Sequence, residues 1–315
     1  MRSEPGAAPR PSLEESDVTV VGVVRDAARR LPQEIAHLRR AFGAARSLRF
    51  VVVESDSRDG TPEVLGALSR TVPGFRALSL GRLADALPLR SERIAHCRNR
   101  YLDELGAQAS LGGYVVVADL DGVNSALTAR AVESCFASPA PWDVCAANQG
   151  DAYYDIWALR HETWSPDDCW DRYRALAPVV GRIPALEIAV HSRMIRLDPR
   201  LPPIEVASAF GGLAIYRAEA LRGARYAAST AGGSPVCEHV GLHEGLRARG
   251  YRIFVHPALM NARATEHSWN RKWPARAARR LLPAGLTDPD PQAMRPRAGV
   301  PALLRRMKSM VARLS

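Results

Sequence analysis

A chain of 315 residues, 47% hydrophobic and 24% charged, is long enough to bury an α/β core and too apolar to be disordered throughout. No apolar run reaches the roughly 18–20 residues of a membrane-spanning helix. The five cysteines (Cys97, Cys135, Cys145, Cys169, Cys237) include no C-x-x-C pair, which argues against a disulfide scaffold or structural zinc site and for a reducing compartment. The net charge of +10 is concentrated in Arg263–Ser315, which hold twelve basic and three acidic residues, so the basicity belongs to a tail and is no nucleic-acid signal for the body.

Met1–Ser16 is polar and rich in proline, lacks the apolar stretch of a signal peptide, and reads as a flexible lead-in. Val18–Val24 is a β-branched run typical of a buried parallel strand. Leu31, Ile35, Leu38 and Phe42 then recur at helical spacing. Leu48–Val53 is a second buried strand, running into Glu54-Ser55-Asp56-Ser57-Arg58-Asp59-Gly60-Thr61. Pro62 opens a helix carrying Val64, Leu65 and Leu68. Ile94, Cys97, Tyr101 and Leu105 form one stripe of a helix over Ser91–Leu105. Tyr114–Ala118 is the third strand and ends in Asp119-Leu120-Asp121-Gly122. This alternation predicts a parallel sheet with helices on its faces. Further on, Trp142–Asn148 reads as a strand, 151–203 as a loop-and-helix insertion, and Ala209–Tyr216 as a strand with two glycines near its start. Glu238–Arg249 reads as a helix and Tyr251–Val255 as a last strand. The expected division is a body over 17–262, with a nucleotide-binding half (17–125) and an acceptor or sugar half (126–262), followed by a basic extension (263–315). That extension ends in a helix with Leu303, Leu304, Met307, Met310, Val311 and Leu314 on one face.

In an open parallel sheet, ligands bind outside the carboxyl ends of the strands. Acidic residues gather there. Asp119 and Asp121 stand two apart at a strand end, so their side chains share a face if the backbone stays extended. Two adjacent carboxylates repel, and a Mg²⁺ or Mn²⁺ ion bridging them to phosphate oxygens relieves that repulsion; D-x-D is also a common tripeptide of solvated loops. Carboxylates in Glu54–Thr61 can accept from ribose hydroxyls or a base N–H, and the same residues can equally build a capped turn. Arginines on the helix from Arg90 to Arg100 can contact a diphosphate or form a solvated face with pairs such as Arg100–Glu104.

Together these motifs resemble the GT-A glycosyltransferases, and more narrowly the cryptococcal capsule-associated α-1,3-mannosyltransferase family and its bacterial relatives. The matching stretches are Glu54–Thr61, Arg90–Asn99, Tyr114–Asn124, Trp142–Ala147, Tyr153–Arg160, Phe210–Arg217 and Cys237–His239, which span most of Val18 to Pro257. The resemblance implies a Rossmann-like, mostly parallel α/β sheet and a metal-dependent hexosyltransferase acting with retention. Its donor would be a nucleoside-diphosphate sugar, GDP-mannose first, and its acceptor a glycan or lipid-linked molecule. It further implies that Glu54 and Asp56 hold the nucleoside, and that Arg93, Arg98 and Asn99 line the diphosphate. Asp119 and Asp121 would coordinate Mn²⁺ or Mg²⁺. Tyr154, Asp155, Trp157, Arg160, Gly211, Gly212 and His239 would shape the sugar or acceptor pocket, though Trp157 also suits a core. A carboxylate near Glu238 is the acceptor base in inverting relatives; with retention Glu238 becomes a pocket residue. His256 and His267, after the last strand, are candidates for a third metal ligand, with His267 preferred.

The basic tail and its amphipathic end fit reversible contact with an anionic membrane surface, and fit equally well packing on the body or on a partner subunit. A cytoplasmic enzyme, peripheral at the inner membrane face, is the expected setting. Rival functions are a sugar-nucleotide nucleotidyltransferase, which would need a glycine-rich loop where Val24-Arg25-Asp26-Ala27-Ala28 stands, and a non-catalytic nucleotide- or glycan-binding protein. No nucleic-acid motif is present.

Overall fold

The computed structural model of the chain describes residues 10–107, 112–229 and 235–265. His267 and the apolar face at 303–314 lie outside the described residues. The strands are β1 (Asp17–Val24), β2 (Ser47–Glu54), β3 (Phe75–Ser79), β4 (Tyr114–Ala118), β5 (Val144–Gln149), β6 (Ile204–Val206), β7 (Leu213–Arg217) and β8 (Ile253–Ala262). The helices are α1 (Leu31–Ala41), α2 (Thr61–Thr71), α3 (Arg90–Gly106), α4 (Ala129–Ala137), α5 (Cys169–Val180), α6 (Arg182–Ala189) and α7 (Glu238–Ala248). None of the described helices is long and apolar enough to cross a membrane.

The strands form one sheet in the order β3-β2-β1-β4-β7-β5-β8-β6. The β3-β2-β1-β4 half is parallel throughout. β7 runs antiparallel to both β4 and β5, and β6 runs antiparallel to β8 at the edge. The fold is therefore the mostly parallel α/β sheet that the strand–helix alternation predicts. Alternate residues feed two cores. Val21, Val115 and Val117 pack with α3, α5, α6 and α7; Val20, Val116 and Ala118 pack with α1, α2 and α4. Burial on both faces is why these strands read as unbroken apolar runs.

Four elements depart from the expectation: α4, assigned nothing from the sequence, and three strands. β3 carries no apolar run: only Phe75 of Phe75–Ser79 is buried, because β3 is an edge strand. β6, three residues long, is likewise absent from the sequence pattern. β8 does not stop at Val255 but continues to Ala262, bulging past Pro257. His256 is consequently buried in mid-strand and does not stand on a loop beyond a strand end, which removes it as a metal ligand of the cleft described below.

Gly22 on β1 has a specific reason to be glycine. A Cβ there would sit 2.6 Å from Leu120 Cδ1 and 2.7 Å from the Ala118 carbonyl. The strand passes so close that the segment leaving β4 lies directly over it. Gly22→Ala is expected to lower stability in chemical denaturation by about 1–3 kcal/mol, because Leu120 and a backbone carbonyl must both move.

Candidate active site

The carboxyl ends of β1, β2 and β4 open onto a cleft of about 220 Å³ whose other wall is the first half of α3. It is lined by Arg25 and Ala27 after β1, Ser55 and Asp56 after β2, Arg90, Arg93, Cys97 and Arg98 from α3, and Asp119 to Asp121 after β4.

The loops after β1 and β2 are knitted together. Asp26 N–H donates to Ser57 Oγ (3.2 Å), Arg58 N–H to Asp26 Oδ1 (2.7 Å), and Ala28 N–H to Asp59 Oδ2 (3.2 Å). Asp59 Oδ1 also receives Thr61 N–H (3.0 Å), so this part of the acidic segment builds a turn, but Gly60 holds the N-cap position of α2 and no side chain caps the helix. Asp26 and Asp56 both adopt positive φ, 53° and 60°. That conformation is costly for a residue with a side chain, and asparagine and aspartate tolerate it better than most.

Glu54 and Asp56, alike in the sequence, separate in space. Glu54 is buried below the cleft: Oε1 accepts Ser57 N–H (3.0 Å) and Oε2 accepts the Ser79 hydroxyl (2.5 Å). It does not line the cavity. Asp56 does. Its Oδ1 accepts Ala84 N–H (2.9 Å), while Oδ2 is buried with no hydrogen-bond donor, the Arg93 guanidinium being 3.8 Å away. Arg93 is itself engaged, donating to the carbonyls of Leu87 (2.6 Å) and Pro88 (2.8 Å), so it braces the loop above the cleft. Asn99 turns away: it donates to the Tyr226 carbonyl (3.0 Å) and accepts Tyr226 N–H (2.8 Å), clamping that segment to α3. Arg100 pairs with Glu104 at 2.7 Å on the solvated face.

Arg98 is the hub. Its side chain is 4% exposed. It donates from Nη2 to Asp119 Oδ1 (3.2 Å), lies 3.2 Å from Glu238 Oε1, and stacks over Phe210 at 5.1 Å. Asp119 is 35% exposed and Glu238 8%, so one carboxylate faces the cleft and the other is sealed behind Arg98. Burial pushes the Asp119 carboxyl up to about 7 despite Arg98, with the negative charges of Asp121, Asp155 and Glu238 adding to the rise. Asp155 is pushed up to about 6 by burial, although Gly211 N–H (3.0 Å) and Ala158 N–H (3.4 Å) donate to it. Asp119 and Glu238 thus share one buried guanidinium, with the charges of Asp121 and Asp155 nearby, an excess of negative charge that a bound cation would relieve.

Hard carboxylate oxygens at Asp119 and Asp121 fit Mg²⁺ or Mn²⁺. Among the described residues no group of three or more His, Cys, Asp or Glu stands close enough to hold a metal ion. A cation here would complete its coordination with water and ligand oxygens, as Mg²⁺ commonly does.

The sugar-side residues divide in the same way. Tyr154 is close enough to feel the charges of Asp119 and Asp121. Gly211 and Gly212 have φ of +68° and +81°, and a Cβ on them would meet the Ala147 carbonyl at 2.5 Å and the Tyr154 hydroxyl at 2.9 Å. Protein packing already requires both glycines. Arg160 ties its own loop together, donating to the carbonyls of Trp157 (2.9 Å) and Leu159 (2.8 Å) and pairing with Asp168 (2.5 Å). Trp157 is half-buried against the core. His239 is sealed under Phe210, with ring centroids 3.8 Å apart, and burial holds it well below the ordinary histidine range.

Arg25, assigned no role from the sequence, and Arg90, read there only as one of the arginines of α3, both line the cleft. The available signal was their position: one follows β1 and the other opens α3, both at the ligand end of the sheet.

No protein-family model matches the chain, and no curated protein matches it. Similar solved structures include the mannosyltransferase PcManGT from Pyrobaculum calidifontis in complex with GDP-Man and Mn²⁺, 19% identical over 89% of this chain and 66% of that chain, with a TM-score of 0.47. Another is S. aureus TarS 1-349 in complex with UDP-GlcNAc, 14% identical over 80% of this chain and 60% of that chain, TM-score 0.44. A third is mannosyl-3-phosphoglycerate synthase from Rubrobacter xylanophilus, 15% identical over 65% and 54%, TM-score 0.33. This chain spans less than two thirds of each of them, and the likeness is one of general fold.

Proposed function

We propose that the chain is a metal-dependent glycosyltransferase that moves a hexose from a nucleoside-diphosphate sugar to a glycan or lipid-linked acceptor. The observation that carries this reading is Asp119, paired with Arg98 and subject to the charges of Asp121, Asp155 and Glu238, in a cleft that also holds Asp121, Arg25, Arg90 and Arg93. Acidic groups on one side and arginines on the other suit a diphosphate with a divalent cation.

In this reading Asp119 and Asp121 hold Mn²⁺ or Mg²⁺, which when bound neutralises the charge growing on the departing nucleoside diphosphate. Arg25 and Arg90, exposed in the cleft, supply further positive charge to the phosphates. Asp56, whose Oδ2 faces Arg93 but has no hydrogen-bond donor, accepts from the nucleoside. Tyr154 and Asp155 border the sugar. Glu238 is occupied by Arg98 and does not line the cleft, which suits retention, where the leaving phosphate can take the acceptor proton and no separate base is required. Mannose, and GDP as its carrier, come from the narrower motif resemblance. Glu54, Asn99, Arg160 and His239, each held within the protein, are assigned to building the site and not to touching substrate.

A thermal-shift panel of nucleoside diphosphates and nucleotide sugars, each with and without Mn²⁺, tests the reading. Nucleotides are expected to stabilise the protein beyond the effect of Mn²⁺ alone, to do so only when Mn²⁺ is present, and to do so most for GDP species. Equal stabilisation by every nucleotide without metal would refute it. The raised Asp119 carboxyl makes a pH prediction as well. The cation needs the anion, so Mn²⁺ affinity should rise with pH up to about 7 and level off above it. Calorimetry in two buffers of different ionisation enthalpy should detect proton release on binding at about pH 6 that fades by about pH 8. A flat profile would contradict this.

A further inference from the structure

We propose that four buried residues outside the cleft, Glu34, Asn124, Asn261 and Gln149, are positioning residues that set the cation affinity of Asp119 and Asp121. The inference rests on the function proposed above. It concerns side chains that do not line the cavity.

Glu34 on α1 is 1% exposed; Asn124, Gln149 on β5 and Asn261 on β8 are each 0% exposed. Polar groups so deep are costly unless they are bonded, and these bond to one another. Glu34 Oε1 accepts Asn124 N–H (3.1 Å) and Asn124 Nδ2 (2.5 Å). Asn124 Nδ2 also donates to the carbonyl of Asp119 (2.8 Å). Asn124 Oδ1 accepts Asn261 Nδ2 (3.1 Å), which also reaches the Gly211 carbonyl (2.9 Å). Gln149 Nε2 donates to that same carbonyl (2.9 Å) and to Asn261 Oδ1 (3.0 Å), while its Oε1 accepts Tyr154 N–H (3.3 Å). Gly211 N–H then donates to Asp155 (3.0 Å). One unbroken chain of hydrogen bonds therefore runs from α1, behind the acidic segment, to Tyr154 and Asp155.

The segment after β4 depends on it. Its last ladder bond is Asp119 N–H to the Gly212 carbonyl (2.9 Å). From there to Asn124 side chains hold the backbone, and Ala126 N–H then donates to the Asn261 carbonyl (2.9 Å). Asn124 grips the Asp119 carbonyl, and Arg30, one helical turn before Glu34, donates to the Asp121 carbonyl (2.8 Å). Arg30 at the N-cap of α1 thus holds the Asp121 backbone directly, and Glu34 in its first turn holds that of Asp119 through Asn124. Metal ligands bind well only when held in place, and losing an outer partner typically costs about 10–100-fold in affinity.

The test is Mn²⁺ titration calorimetry on the full chain, without donor or acceptor. Glu34→Ala and Asn261→Asp are expected to weaken Mn²⁺ binding by about 10–100-fold. Glu34→Gln, which keeps an acceptor oxygen facing Asn124, should restore most of it. Trp142→Phe loses a buried bond to the Cys135 carbonyl (2.9 Å) away from the cleft and should bind as wild type does. If Glu34→Ala does not fold, Asn261→Asp and Glu34→Gln carry the comparison. Wild-type affinity in folded Asn261→Asp overturns the proposal while leaving the glycosyltransferase reading intact. Failure of the wild-type protein to bind Mn²⁺ overturns both.

Discussion

Asp119→Asn and Asp121→Ala are each expected to reduce sugar transfer by roughly three orders of magnitude, with the fold retained. The asparagine keeps the size of the side chain but removes the charge, and an amide is a poor ligand for a hard dication beside a second carboxylate. Asp119→Asn also deletes a carboxyl that burial and three neighbouring carboxylates already hold at about 7, so the metal-free variant should be no less stable than wild type. Asp121 is exposed and lines the cleft. Loss of turnover, measured as release of nucleoside diphosphate, together with an unchanged circular dichroism spectrum, separates a chemical role from a structural one. Retention of more than a tenth of wild-type turnover in Asp121→Ala would remove the metal role from this pair.

Arg98→Met carries the largest expected effect on stability. The substitution preserves much of the volume but leaves Glu238, 8% exposed, without its cation, and removes the only guanidinium bonded to Asp119 among the described residues. Removing one partner of a buried ion pair costs about 3–5 kcal/mol. Chemical denaturation should show a loss of that order. Adding Glu238→Gln should return part of it, because the orphaned charge is then gone. A loss of less than about 1 kcal/mol in the single variant would mean that Glu238 is solvated or protonated without Arg98.

The parallel half of the sheet was legible because both its faces are buried. Val18–Val24, Leu48–Val53 and Tyr114–Ala118 stand out as apolar runs for that reason, and the observed β1, β2 and β4 match them to within a residue at each end. Leu31, Ile35, Leu38 and Phe42 are 0–1% exposed, as their spacing predicts. Edge strands were illegible: Phe75–Ser79 buries one side chain and carries Arg76 on its open side. On α3 the stripe drawn through Ile94 misses that Arg98 itself is buried, since no periodicity rule places a charge inside a core. The place of the two aspartates beside the cleft was legible where the chain leaves a strand. Asp119 and Asp121 follow a strand, so their common direction could be argued from spacing. Glu54, Arg93, Asn99 and Arg160 could not be sorted from Asp56 and Arg98 in this way, because each is held by a partner 3 to 127 residues distant. Glu34, Asn261 and Gln149 gave no sequence signal; only the folded network reveals them.

Release of nucleoside diphosphate from its sugar, followed with Mn²⁺ present and again after chelation with EDTA, bears most directly on the cleft. Turnover with Mn²⁺, its loss in EDTA, and its return on adding Mn²⁺ or Mg²⁺ are the expected results. Undiminished turnover in EDTA would contradict the assignment of Asp119 and Asp121 as cation ligands, and with it the chemistry proposed for the cleft.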